Sequence, residues 1–323
     1  MSHPTRHTAL IAGGAGFIGS HVTKRFHGAG YAVTVIDGFL EQTGGREENL
    51  FPIIANIKLI NREIDRVDGL AAIVDQSDVI VDCMAWTSHL LALQDPIYDL
   101  TLNAESHLHL IRHVPDGADK KIIFLGSRGQ YGKPPVATIT EDTPMLPEDV
   151  QGIHKLAAES YYRVYAKLKN LNVASLRFPA CFGVNQPTSG RDIGLIGGFI
   201  RDLLEGKSIE VYGRRRRRYF VYADDLAEVV FGLSTTPFCG FSAFNYSGMA
   251  MFLEDLANKL IEVVGRGSYK IQELPAEISH IDIGDADFSD QRLHAYLGEI
   301  QKTDQDDALS TTVAYFRGAR RDN

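Results

Sequence analysis

The chain of 323 residues is long enough for one large domain or two modest ones, and its 44% hydrophobic content supplies a sizeable core. A formal net charge of −8 gives no general attraction to nucleic acid or anionic membrane, and no apolar run reaches the length of a membrane span. The N-terminal MSHPTRH carries no apolar leader stretch, and the scattered cysteines Cys83, Cys181 and Cys239 are expected to be free thiols in a reducing, cytoplasmic compartment.

The first predicted element is an apolar strand, Thr8 to Ala12, followed by Gly13-Gly-Ala-Gly16-Phe17-Ile18-Gly19 and an amphipathic helix from Phe17 to about Gly28. Each glycine has a physical task in that setting. Gly13 permits the tight turn out of the strand, Gly16 lets backbone approach a pyrophosphate, and Gly19 lets helix and sheet pack closely. The pyrophosphate is expected on the helix N-terminus, where N–H groups lack partners. A second strand, Tyr31 to Ile36, runs into Asp37. A carboxylate there accepts from both adenosine ribose hydroxyls and repels a 2′-phosphate, so NAD is expected rather than NADP.

Lys58 to Asn61, Val79 to Asp82, Lys121 to Leu125 and Asn172 to Arg177 are further short apolar strands, with helical stretches between most of them. The alternation predicts an α/β fold, a Rossmann-type doubly wound parallel sheet over residues 1–178. From Pro179 the pattern is mixed, with a strand at Ser208 to Tyr212 and a helix at Leu253 to Val264. Tyr219 to Leu233 reads as a strand and helix returning to the first domain. The expected division is therefore a nucleotide domain of 1–178 with 219–240, and a smaller, discontinuous C-terminal substrate domain of 179–218 with 241–323.

Beyond the glycine loop, Glu63-Ile64, Asp78 to Ala85, Asp95-Pro96 with Asn103, Phe124-Leu-Gly-Ser127 to Gly132, Thr140 to Pro144, Phe182-Gly183, Val211-Tyr-Gly213 and Phe220 to Asp225 follow in a telling order. Over about residues 8 to 317 the chain resembles an extended short-chain dehydrogenase/reductase of the nucleotide-sugar epimerase/dehydratase family. The resemblance implies that Glu63 and Ile64 lie beside adenine, that Met84 and Ala85 border the cofactor, and that Ser127 is the catalytic hydroxyl. It implies a homodimer acting on a nucleotide-activated sugar, with Lys155 serving both cofactor and catalysis. Thr87 and Ser88 fall in the loop bordering substrate.

The family's catalytic helix carries a tyrosine four residues before the lysine, so both project from one face. Here that position is Gln151, an amide with no ionisation near neutral pH. His154 lies on the same helix and His89 in the loop Trp86-Thr-Ser-His89, and either is a candidate substitute base. Each also has a plain reading as a satisfied polar residue at a helix or loop surface.

Family dehydratases place an Asp-Glu pair directly after the catalytic hydroxyl. Arg128-Gly129 stands there instead, which disfavours dehydration and uronate decarboxylation. Arg128 could hold a carboxylate or phosphate bidentately, or turn outward to a surface acid. Within the run Arg214 to Arg218, Arg218 matches the family's diphosphate-binding arginine, the alternatives being a solvated basic loop or nucleic acid. Ala180 replaces an asparagine that helps hold the sugar-nucleotide. His107, His109 and His113 share a helical stretch without a completing ligand, so a helix surface and no metal are expected. No Gly-x-Ser-x-Gly elbow accompanies Ser127, which removes a hydrolase reading.

The reading is an NAD-dependent nucleotide-sugar epimerase that oxidises a ring hydroxyl transiently, with a non-standard general base. Two alternatives remain at this stage: an NAD-binding regulatory or assembly protein with little redox activity, and a net sugar dehydrogenase or reductase.

Overall fold

The computed structural model describes residues 7–51, 53–189, 193–274 and 285–319; six residues of the N-terminal stretch and parts of the expected C-terminal domain lie outside them. The first half alternates as expected: β1 (Thr8–Ala12), α1 (Phe17–Gly28), β2 (Ala32–Asp37), β3 (Lys58–Asn61), α2 (Leu70–Asp75), β4 (Val79–Asp82), α3 (His89–Gln94), α4 (Pro96–Leu100), α5 (Ser106–Arg112), β5 (Lys121–Leu125), β6 (Thr138–Ile139), α6 (Val150–Lys169) and β7 (Asn172–Arg177). The second half contains β8 (Ala180–Phe182), α7 (Gly194–Leu204), β9 (Ile209–Tyr212), β10 (Arg217–Tyr222), α8 (Ala223–Thr235), β11 (Phe241–Asn245), β12 (Met249–Phe252), α9 (Leu253–Val264), β13 (Tyr269–Gln272), β14 (Asp287–Phe288), α10 (Gln291–Leu297) and α11 (Gln305–Ala319).

Seven strands form one sheet in the order β11-β7-β5-β4-β1-β2-β3, and every neighbouring pair is parallel. Parallel strands are covered on both faces and so read as continuous apolar runs, which is why β4 is buried at each residue. One face packs against Val22 and Phe26 of α1 and Leu226, Val230 and Leu233 of α8. The other packs against Leu110 and Ile111 of α5 and Ala158, Tyr162 and Ala166 of α6. This is the expected Rossmann-type, doubly wound architecture. Strand order reverses at β1, which lies between β2 and β4, and such a switch point opens a crevice beyond the carboxyl ends of the strands.

A second core joins Ile200 and Leu203 of α7, Val211 of β9, Phe220 of β10, Leu256 and Leu260 of α9, and Val313 and Phe316 of α11. Beside it lie a three-stranded sheet, β12-β10-β8, and the pair β13-β9. The returning segment differs from the sequence expectation. Its helix α8 covers the main sheet, but its strand β10 pairs with β8 and β12 instead. The strand that joins the main sheet is β11, beyond the boundary expected at 241, and it runs parallel to β7. Parallel neighbours need a crossover connection, and the segment between β7 and β11, which ends in α8, supplies it.

Candidate active site

A cleft of about 640 Å³ lies beyond the carboxyl ends of the central strands. Gly13, Gly16, Phe17, Ile18 and Gly19 line one wall. Gly13 adopts a left-handed φ of 72°, which turns the chain out of β1, and its amide donates to the Ile36 carbonyl at 2.8 Å, extending the pairing with β2. A Cβ at Gly19 would stand 2.0 Å from the Gly13 carbonyl oxygen, so only glycine permits this approach. Gly16 caps α1 without a side-chain acceptor, leaving the helix N-terminus suited to an anion.

Asp37 lines the cleft at the end of β2. Its carboxylate accepts from the amides of Ala15 at 2.9 Å and Phe39 at 3.0 Å, tying the glycine loop to the second strand. Burial raises its carboxyl above the usual aspartate value, with those backbone bonds opposing the rise. Glu63 and Ile64 line the same side, Met84 and Ala85 follow β4, and Thr87 comes next. A closed glycine cradle, a bare helix terminus and an acid at the second strand fit a dinucleotide.

The opposite wall is built by α6 and the turn after β5. Asp149 caps α6, its Oδ1 accepting from the Gly152 amide at 2.6 Å, and Asn170 ends the helix in the left-handed region. Gln151 and Lys155 therefore stand one helical turn apart, and both line the cleft. Gln151 donates through Nε2 to the Trp86 carbonyl at 3.0 Å. Lys155 donates to the carbonyls of Met84 at 2.9 Å and Leu125 at 3.3 Å. Burial pushes its ammonium down to about 8, with Asp82, Cys83 and Asp99 opposing.

Ser127 follows β5 and also lines the cleft. Its Oγ accepts from the Gly129 amide at 3.0 Å, while its own amide donates to Gln130 Oε1 at 2.7 Å. Gln130 in turn donates to Glu159 of α6 at 2.7 Å, and Glu159 forms a buried ion pair with Arg177 of β7. The turn bearing Ser127 is thus fastened to the helix bearing Lys155. Arg128 is 3% exposed and lines the cleft, against the reading of an arginine turned outward. Tyr131 is fully buried, its hydroxyl 2.8 Å from Asn245 Oδ1.

The two histidine candidates part company. His89 lines the cleft, and its Nδ1 lies 2.8 Å from Asp149 Oδ2. His154 is not among the lining residues; its Nδ1 lies 2.6 Å from Asp99 Oδ2, and Asp99 is fully buried. Ser88 is also absent from the lining and caps α3 by accepting from Leu91 N at 3.2 Å. Arg218, likewise outside the lining, pairs with Asp285, and Arg217 pairs with Asp287. The arginine run is therefore partly neutralised by acids that lie far off in sequence.

His107 departs from the helix-surface expectation: it is fully buried, 2.6 Å from Asp82 Oδ2. The reason is that α5 turns this residue toward β4, where a carboxylate offers it a partner. Among the described residues no cluster suited to a metal occurs, and no helix is long and apolar enough to cross a membrane. Sequence reading missed Asp149, Asp82 and Asp99. Asp149 had a local signal, an aspartate just before a helix, whereas Asp82 lay hidden in an apolar strand.

Comparison with known proteins agrees with this geometry. The NAD-dependent epimerase/dehydratase family profile matches residues 9–242. The UDP-glucose 4-epimerase of Mycolicibacterium smegmatis is 28% identical over 263 residues, 79% of this chain and 82% of that protein. The UDP-N-acetyl-alpha-D-glucosaminuronate decarboxylase of Bacillus cytotoxicus is 30% identical over 228 residues, 68% of each chain. In fold, the structure resembles the UDP-N-acetylglucosamine 4-epimerase of Methanobrevibacter ruminantium M1, solved with UDP-N-acetylmuramic acid, at a TM-score of 0.86 and 23% identity over 98% of this chain and 100% of that one. With the profile spanning most of its length and the glycine cradle, Asp37 and Lys155 meeting in one cleft, the chain belongs to the NAD-dependent epimerase/dehydratase family.

Proposed function

We propose that the protein is an NAD-dependent nucleotide-sugar epimerase that oxidises a ring hydroxyl transiently and uses a non-standard general base. The observation that carries this reading is the convergence of Ser127, Gln151, Lys155 and His89 on the cleft that also holds the glycine cradle. Bound at the cradle of Gly13, Gly16 and Gly19, NAD would supply reversible hydride transfer. Ser127 orients the sugar hydroxyl, Gln151 offers an amide beside it, and Lys155 supplies positive charge at the cleft wall.

His89 is the proposed base. Its support is its place in the cleft and its carboxylate partner. A carboxylate only accepts, so Nδ1 carries the hydrogen and Nε2 holds the lone pair that takes the proton. Epimerisation is favoured over dehydration by the lining acids. Among the described residues these are Asp37, Glu63, Asp65 and Glu105, and none belongs to the turn after β5 that carries Ser127. Arg128, buried in that turn, suits an anionic substrate group. Arg218 would reach a diphosphate only by exchanging Asp285 for it.

A second reading, an NAD-binding protein with little redox activity, is favoured by one contact, the hydrogen bond that holds Gln151 on the Trp86 carbonyl. Turnover separates the two. A panel of nucleotide-sugars is incubated with protein and NAD, and isomer exchange is followed by NMR for wild type and Gln151→Tyr. Conversion by the wild type is expected. Activity only in Gln151→Tyr would favour the second reading, and inertness of both while NAD is bound would remove the nucleotide-sugar assignment.

The proposed assembly is a homodimer. Its support is an exposed apolar face of Ile153, Val164 and Leu168 on α6 beside Leu90, Leu93 and Ile97 on α3 and α4. Sedimentation of Leu168→Lys should show a monomer. A cytoplasmic setting is supported by three unpaired thiols. For the two cores we retain a nucleotide domain and a substrate domain, with β11 assigned to the first.

A further inference from the structure

Lys155 is 4% exposed, and its Nζ has three neighbours. Two are the Met84 and Leu125 carbonyls; the third is Nε2 of His107, at 3.5 Å. A protonated lysine has three donors and no acceptor, so this site offers one acceptor for each hydrogen of an ammonium. The third acceptor is itself held in place. His107 of α5 and Asp82 of β4 are both fully buried, and Nδ1 lies 2.6 Å from Oδ2. The carboxylate fixes the hydrogen on Nδ1, which turns the Nε2 lone pair toward Lys155. Asp82 is completed by the Tyr162 hydroxyl at 2.6 Å and the Met84 amide at 3.0 Å. An unbroken line of contacts runs inward from the cleft wall through Lys155, His107 and Asp82 to Tyr162.

A buried ammonium needs a negative partner. The residue one turn earlier on the same face, Gln151, is a neutral amide that donates elsewhere. We propose that Asp82, acting through His107, is the counter-charge that keeps Lys155 protonated and aimed at the cleft, which makes Asp82 and His107 positioning residues for Lys155.

The electrostatics run the same way. Burial lowers Lys155 to about 8, and Asp82 heads the charges that oppose the fall. Burial also lowers His107, which leaves a neutral imidazole as the link. Burial would raise Asp82, yet His107, Tyr162 and Lys155 outweigh it and hold the carboxyl below its usual range. The titratable and charged groups around Lys155 are Asp82 at the end of β4 and Cys83 just after it, His107 from α5 and Asp99 from α4, with Tyr162 of its own helix acting on Asp82.

The test reads the lysine and the imidazole directly, without substrate or cofactor, so its outcome is separate from that of the nucleotide-sugar reading. In the intact wild-type protein, two-bond proton–nitrogen correlation spectra should show His107 as the Nδ1–H tautomer. Its Nε2 resonance should move as Lys155 titrates near pH 8, the lysine being followed through ε-carbon labelling and assigned with Lys155→Met. An Nε2–H tautomer would overturn the proposal. Asp82→Asn and His107→Leu should each lower the Lys155 midpoint by about one pH unit or more. His107→Gln, whose amide can accept from Lys155 and donate to Asp82, should restore it, and Tyr162→Phe should leave it within about 0.3 unit. An unchanged midpoint in folded Asp82→Asn and His107→Leu would also overturn the proposal. If those variants do not fold, the wild-type tautomer decides.

Discussion

Nδ1 of His89 lies 2.8 Å from Oδ2 of Asp149, while the other oxygen of Asp149 accepts from the Gly152 amide that opens α6. One side chain thus starts the helix bearing Lys155 and sets the hydrogen on His89. Burial would raise the Asp149 carboxyl, but His89 and the Gly152 amide outweigh it and hold it below the usual range, so it is ionised at neutral pH. Asp149→Asn can still cap the helix but presents an amide hydrogen to Nδ1, reversing the tautomer. Turnover should fall about 10²-fold in both Asp149→Asn and His89→Ala, with circular dichroism and NAD affinity unchanged. The double variant should fall no further than His89→Ala, and full turnover in His89→Ala would remove it as the base.

Asp37 should make NAD bind more tightly than NADP, because a 2′-phosphate would face a buried carboxylate. Asp37→Ser should narrow the gap by weakening NAD and admitting NADP. Because burial raises the Asp37 carboxyl, protonation begins at a higher pH than for an ordinary aspartate, and the preference should fade earlier on acidification. Calorimetry with both dinucleotides between pH 7 and about 5 measures this; equal affinities at pH 7 would contradict it.

Gly19→Ala places a methyl 2.0 Å from the Gly13 carbonyl oxygen and 2.8 Å from the Gly14 Cα, all backbone that cannot rotate away. NAD affinity should drop at least about tenfold, and unfolding stability should drop by about 1–3 kcal/mol. Gly28→Ala is the control, since a methyl there meets nothing within 4 Å. It should change stability by less than about 0.5 kcal/mol.

The buried pair of Glu159 and Arg177 predicts an acid-sensitive fold. Burial would raise Glu159, but Arg177, Gln130 and Ser175 outweigh it and hold the carboxyl below the usual range. A carboxyl lowered on folding stabilises fully above its unfolded pKa of about 4.3, and that contribution is lost as pH falls through the folded value. Glu159→Gln leaves Arg177 buried with less compensation and should cost about 3–5 kcal/mol at pH 7. Denaturant titrations should show the difference from wild type shrinking below about pH 4; a constant difference would refute the ionic origin.

The main sheet was legible because its central strands are buried on both faces and therefore read as apolar runs, as in Val79 to Asp82, whereas the edge strand Lys58 to Asn61 is only partly covered. The glycine cradle was legible because its demands are steric and local. Strand β10 misled, since period and apolarity do not say which sheet a strand will join. His107 misled for a related reason: nothing beside it in sequence marks it as buried, while the carboxylate that draws it inward belongs to β4, remote along the chain. Arg218 matched a diphosphate ligand by position, and only the fold brings Asp285 to it. The paired histidines show the same limit, because Asp149 and Asp99 are remote from their partners along the chain.

Strand β11, which closes the outer side of β7, comes from beyond α8. During translation the chain has made β7 well before residue 245 leaves the ribosome, an interval of several seconds at roughly 5–20 residues per second. Through that interval an apolar edge, including Val173, Ala174 and Leu176, stands open to strands from other nascent chains. Variants that loosen the packing of α8 on α1, and so delay the arrival of β11, should therefore give less usable protein.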